Sequence, residues 1–145
     1  MIHNENIFVI GTQQLRQIVM QFDYWMYKDA TDEDDKQWVS VRVKCSADQL
    51  SGEFTASMYM PDLIVFKDQL ETLYKNLKGV ARFSAIEGWM NLKVIGDGLG
   101  HMTSECQLFL GNVLTTKFEF EIEFDQTELS QLIFDIDKII EKFTR

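Results

Sequence analysis

The sequence is poor in the residues that disulfide-stapled, metal-binding and histidine-based catalytic proteins rely on. It has two cysteines, two histidines and one proline. Cys45 and Cys106 are far apart, which excludes a disulfide framework or a zinc knuckle. Both fall in strand-like runs, the setting of buried, reduced thiols in a cytosolic protein. His3 stands in a polar stretch and His101 follows a glycine-rich turn, so a histidine metal site is not expected. No apolar run approaches the ~18 residues of a membrane span. Met1 to Asn6 is polar, with no signal-peptide core after it. These absences point to a cytoplasmic chain. Positive charge is scarce too: 14 Lys and Arg against 23 Asp and Glu leave a net charge of −9. A nucleic-acid binder needs a basic footprint, and an anionic membrane surface attracts one. The balance instead fits a partner protein that is itself basic.

The rest is ordinary globular material, 46% hydrophobic and 26% charged. With no Ser/Gly-rich linker, residues 1–145 read as a single domain. The acidic stretch Asp29 to Asp35 has no apolar side chain larger than Ala and reads as a solvated loop. Around it lie strand patterns. Asn6 to Ile10 is a short one. Leu15 to Tyr27 fits a helical stripe as well as alternation, and its aromatic content favours a strand. Val39, Val41, Val43 and Cys45 alternate with polar residues, as do Phe54, Ala56 and Met58. Four more strands are expected at Val80 to Ile86, Trp89 to Ile95, His101 to Leu110 and Leu114 to Phe124.

Two helices punctuate this pattern. The first opens near Pro61 and Asp62 and stops before Gly79, with the stripe Leu63, Phe66, Leu70, Leu73, Tyr74 and Leu77. The second follows an Asp125/Glu128 capping box, with the stripe Leu129, Leu132, Ile133, Ile136, Ile139, Ile140 and Phe143. One constant offset takes Leu63 to Leu129, Phe66 to Leu132 and Phe54 to Phe120. That offset fits two repeated halves, each a run of strands ending in a helix. Two unrelated strand-helix units would also align this way. Either way the fold class is α+β, an antiparallel sheet of about eight strands with two helices packed on one face.

Few residues could carry chemistry. Gly96-Asp97-Gly98-Leu99-Gly100-His101 could offer amides to a phosphate, but a strand follows where a helix is needed. It reads as a structural hairpin turn with glycines at positive φ. His101 beside Asp97 could form a general base, yet no motif places a nucleophile. The Asp32 to Asp35 loop lacks the turn glycine and terminal Glu of a calcium site, so neither metal nor cofactor is expected. On the last strand Glu119, Glu121 and Glu123 share one face at ~7 Å spacings. Trp38 and Trp89 fall out of phase with the apolar faces of their strands, as exposed interface anchors would. Asp32, Glu33, Asp34, Asp35, Trp38, Trp89, Glu119, Glu121 and Glu123 are therefore the candidate partner-binding residues.

Leu70-Glu71-Thr72-Leu73-Tyr74-Lys75-Asn76-Leu77-Lys78-Gly79, then Phe83, the Gly96 to His101 turn and Phe120-Glu121-Ile122-Glu123-Phe124-Asp125-Gln126-Thr127 form a connected pattern. With Ser51-Gly52-Glu53-Phe54 and Trp38, it resembles the WapI-type immunity family from Trp38 to Phe143. These are small bacterial proteins encoded beside secreted wall-associated toxins. The resemblance implies a non-catalytic cytosolic antidote that binds and neutralises a toxin, with a basic nuclease as the toxin that suits the acidity. It supplies no catalytic residues. Two other readings stand beside it. One is an unrelated or self-associating binding module, the other an enzyme using Asp97 and His101.

Overall fold

A computed structural model describes residues 6–11, 15–110 and 116–145. His3, Leu114 and Thr115 lie outside the described residues. The element order is β1 (Ile7–Ile10), β2 (Arg16–Trp25), β3 (Trp38–Ala47), β4 (Leu50–Tyr59), α1 (Met60–Asn76), β5 (Lys78–Ser84), β6 (Met90–Asp97), β7 (His101–Leu110), β8 (Thr116–Asp125) and α2 (Gln126–Lys142). The chain is thus two halves of the same order, four strands and a helix each. The offset that takes Leu63 to Leu129 carries β4 onto β8 and α1 onto α2, end to end.

The eight strands divide into two antiparallel sheets of four, ordered β1-β2-β3-β4 and β5-β6-β7-β8. The physical reason is α1. Consecutive strands with no α-helix between them pair with their sequence neighbours, whereas a helix of 17 residues carries the chain away from β4 before β5 begins. Each helix then packs on the first strand of the other half, α1 on β5 and α2 on β1, and the helices pack on one another. Gln69 on α1 accepts the amide of Arg82 on β5 at 2.8 Å, and Lys67 reaches Asp137 on α2 at 3.4 Å. The last strand of each sheet is likewise met from the opposite half. Trp89 donates its indole N–H to the Ser57 carbonyl of β4 at 3.0 Å. Arg16 donates to the Glu121 carbonyl of β8 at 3.2 Å.

Inward residues of both sheets and both helices form one core, including Phe8, Met20, Val43, Phe66, Phe83, Leu108, Ile122 and Leu132. Of the expected sheet face, Met58, Phe120, Ile122 and Phe124 are buried, and Phe54, Ala56 and Phe118 are partly buried against the core. Asp125 caps α2 by accepting the Glu128 amide at 3.0 Å. α1 stops before Gly79, as expected, but a leucine and not the glycine makes the turn. Leu77 takes the left-handed turn with φ 60°, and β5 starts at once, so Gly79 lies inside that strand. Tyr74, expected in the α1 stripe, is exposed.

Within Leu15 to Tyr27, Arg16–Trp25 forms strand β2, and a bulge between Phe22 and Tyr24 explains the double pattern of the segment. Ile18, Met20 and Phe22 face the core. The extra residue then turns Tyr24 outward and sends Trp25 inward, edge-on to Phe143 at 5.5 Å. Cys45 and Cys106 are free and buried. Burial pushes the Cys106 thiol up to about 12, so it is protonated and unreactive at neutral pH. Among the described residues, no helix is long and apolar enough to cross a membrane.

Candidate partner-binding surface

Alternation along β8 sends Phe118, Phe120, Ile122 and Phe124 to the core side and leaves Glu119, Glu121 and Glu123 exposed on the other. β7 lies beside it with Gln107 opposite Glu119, Glu105 opposite Glu121 and Thr103 opposite Glu123. The carboxylates are not equivalent. Glu119 takes the Lys117 ammonium at 2.6 Å and the Gln107 amide at 3.0 Å. Lys117 first and Gln107 second hold its carboxyl below the usual range. Glu123 is 3.5 Å from the His101 imidazole. Glu121 faces another carboxylate, Glu105, directly across the strand pair. The surface is a shallow groove of about 640 Å³, walled by Arg16 at one end and floored by β5 to β8.

The glycine-rich turn is built for shape. Gly98 and Gly100 have φ of 92° and 97°. Asp97 Oδ1 accepts the backbone amides of Leu99 at 2.7 Å and His101 at 3.2 Å. Those two bonds, the Leu99 one foremost, pull its carboxyl below the usual range. Gly100 in turn accepts the first amide of α2, from Gln126, at 2.9 Å. Asp97 therefore closes the turn, while the His101 ring sits by Glu123 on the open sheet face. No group of three metal-ligating side chains is clustered among the described residues.

The acidic loop belongs to the other half of the molecule. Asp32 folds it by accepting the amides of Asp34 at 2.9 Å and Asp35 at 3.1 Å. Tyr59 donates its hydroxyl to Asp34 at 2.9 Å, and Glu33 pairs with Lys36 at 3.1 Å. Arg145 fastens the base of the loop. Its guanidinium lies 4.4 Å over the Trp25 ring and donates to the carbonyls of Tyr27, Lys28 and Lys36. Trp38, half-buried, packs on Tyr59 at 5.1 Å between centroids.

The candidate residues thus form two groups. Asp32 to Asp35 and Trp38 sit at the end of the first sheet, and Glu119, Glu121 and Glu123 line the second. Trp89 corrects the expectation of an exposed anchor. It is 4% exposed, between Phe54 at 6.1 Å and Phe83 at 6.2 Å. It precedes β6 rather than belonging to it, so strand phase does not govern its direction. Sequence reasoning missed Glu105, Arg82 and Lys93. Alternation puts all three on an outer face, but only the register shows which residues oppose them.

The fold has solved counterparts. Trypanosoma bruciei MRP1/MRP2 superposes with a TM-score of 0.51 at 13% identity, over 94% of this chain and 84% of the other. A guide-RNA-binding protein complex bound to a gRNA gives 0.51 at 12% identity, over 93% and 89%. At such identities the likeness is one of fold. Comparison of the sequence with curated proteins finds no match. The family comparison does, and it spans both sheets, both helices, the acidic loop and the glutamate strand. With residues 9–144 matched, the chain belongs to the Immunity protein WapI-like family.

Proposed function

We propose that this chain is a non-catalytic, cytoplasmic antidote that neutralises a basic toxin, a nuclease in kind, by covering its phosphate-binding surface. Membership of an immunity family supports the role. The observation that carries the binding mode is the acidic outer face of β7 and β8, where Glu105, Glu119, Glu121 and Glu123 stand together. A nuclease must be basic where it holds phosphate, so an acidic face gains attraction there and speed of encounter. The Asp32 to Asp35 loop and Trp38 form a second acidic patch with an aromatic edge, and Trp38 is the anchor left after Trp89 is withdrawn to the core. Although the fold is shared with a guide-RNA-binding complex, a net charge of −9 opposes phosphate and makes RNA a poor ligand here.

The test is the variant Glu119→Gln/Glu121→Gln/Glu123→Gln, bound to the toxin encoded beside this chain's gene across a salt series. Exposed carboxylates contribute little to folding, so its melting point should stay near that of the parent. Association should slow by ~10-fold or more at low salt, and the salt dependence should flatten. Unchanged rate and unchanged salt slope would place the docking surface elsewhere.

A further inference from the structure

Across the middle of the second sheet, four charged side chains stand in one row on the outer face. Arg82 on β5 opposes Lys93 on β6, Lys93 opposes Glu105 on β7, and Glu105 opposes Glu121 on β8. The order is plus, plus, minus, minus. Directly opposed side chains sit ~5 Å apart, where opposite charges help a sheet and like charges weaken it. An alternating order would give three favourable neighbours. The order present gives one, flanked by two repulsive pairs. Among the described residues, none of the four side chains is in a close ion pair, although Arg16, hydrogen-bonded to the Glu121 carbonyl, attracts the Glu121 carboxylate from the side. The adjacent row continues the asymmetry, with Ser84, Asn91 and Gln107 neutral and Glu119 charged at the β8 end. Breaking a local pairing rule twice in one row, inside a groove of about 640 Å³, is what a surface shaped for another molecule looks like.

We propose that this groove seats a segment of the toxin whose charges run in the reverse order, carboxylates over Arg82 and Lys93 and cations over Glu105 and Glu121. The inference rests on the antidote reading and goes beyond it. It makes two cations of an acidic protein part of the recognition and fixes the direction in which the partner crosses the strands. Like-charge contacts reject a partner laid in the opposite direction, so the row supplies specificity where bulk acidity supplies only attraction. A second copy of this chain, turned about an axis along the strands, would also match the row. Two chains of charge −9 repel one another, whereas a basic toxin is attracted, and that decides for the toxin.

The experiment compares three variants for toxin binding by surface-immobilised kinetics, with melting curves to verify folding. Arg82→Gln/Lys93→Gln makes the protein more acidic, and Glu105→Gln/Glu121→Gln makes it less so. Both should weaken binding, each by ~10-fold or more. The third variant, Arg82→Glu/Lys93→Glu/Glu105→Lys/Glu121→Lys, reverses the row at constant net charge and should lose binding by ~100-fold or more. Each Gln variant removes one repulsive neighbour pair together with the one favourable pair, and the reversed row keeps both kinds, so melting points should stay near that of the parent. If Arg82→Gln/Lys93→Gln binds as well or faster, or the reversed row binds normally, charge order is irrelevant and this inference falls while the antidote reading stands. If wild-type protein does not bind the toxin, both fall. If wild-type protein sediments as a dimer that the Gln variants dissociate, a second copy fills the groove and the inference falls.

Discussion

Phe66→Ala should lower the folding stability of this protein by ~3–5 kcal/mol, the range for truncating a fully buried Phe. Phe66 has no exposed surface and meets Phe83 of β5 edge-on at 5.6 Å. Phe83 touches Trp89, and Trp89 touches Phe54 of β4. This chain of rings runs from α1 through the second sheet to the last strand of the first, so the cavity would open where the halves join. Against a total of roughly 5–15 kcal/mol, the loss is a large fraction. Denaturant melts should show a lower midpoint at an unchanged slope. Phe134→Ala is the control. That ring is 57% exposed on α2, and its removal should change stability by no more than ~0.5 kcal/mol. A loss below ~1 kcal/mol for Phe66→Ala would contradict the packing.

Gly96→Ala should cost about 3 kcal/mol, although it adds a single carbon. A Cβ there would lie 2.4 Å from the Leu77 carbonyl oxygen and 2.9 Å from a Leu73 methyl. The Leu77 carbonyl has little room to move. It accepts the Gly98 amide at 2.8 Å and ends α1 just where β5 begins. The methyl would therefore push the helix end away from the second sheet. Gly98→Ala tests a different physics. Its Cβ would meet Lys78 at ordinary contact distance, 3.6 Å, leaving the penalty of φ 92° alone. That costs on the order of 1 kcal/mol or somewhat more. Thermal melts should rank Gly96→Ala below Gly98→Ala and Gly98→Ala below the parent. The reverse ranking would mean that backbone conformation, not close approach, accounts for the glycine at 96.

The sequence was most legible where side-chain period and capping chemistry agree. β8 alternates without a break, and α2 begins at a capping box, so both were readable nearly to the residue. The repeated halves were legible as one offset between two stripes, with nothing local to prove it. The division into two sheets was not legible, because strand pairing depends on where α1 carries the chain. β2 looked ambiguous because a bulge at Phe22/Tyr24 shifts its phase midway. Trp89 departs from the expected exposure for a related reason. It lies just outside its strand, beyond the reach of strand phase, and is fixed by a long-range hydrogen bond to Ser57. For the candidate surface, the acidic residues were visible as a spacing along β8. The charge order from Arg82 to Glu121 needed register, which no single strand encodes.

Neutralisation by stoichiometric binding has a direct readout in the titration of toxin activity with this chain. The toxin that the proposed role calls for is held well above the dissociation constant, and its activity is read after short and long incubations. Binding without turnover should lower activity linearly to a plateau at one fixed molar ratio, the same at every incubation time. Toxin that stays active in excess of this chain, or is silenced progressively by a substoichiometric amount of it, would contradict that claim.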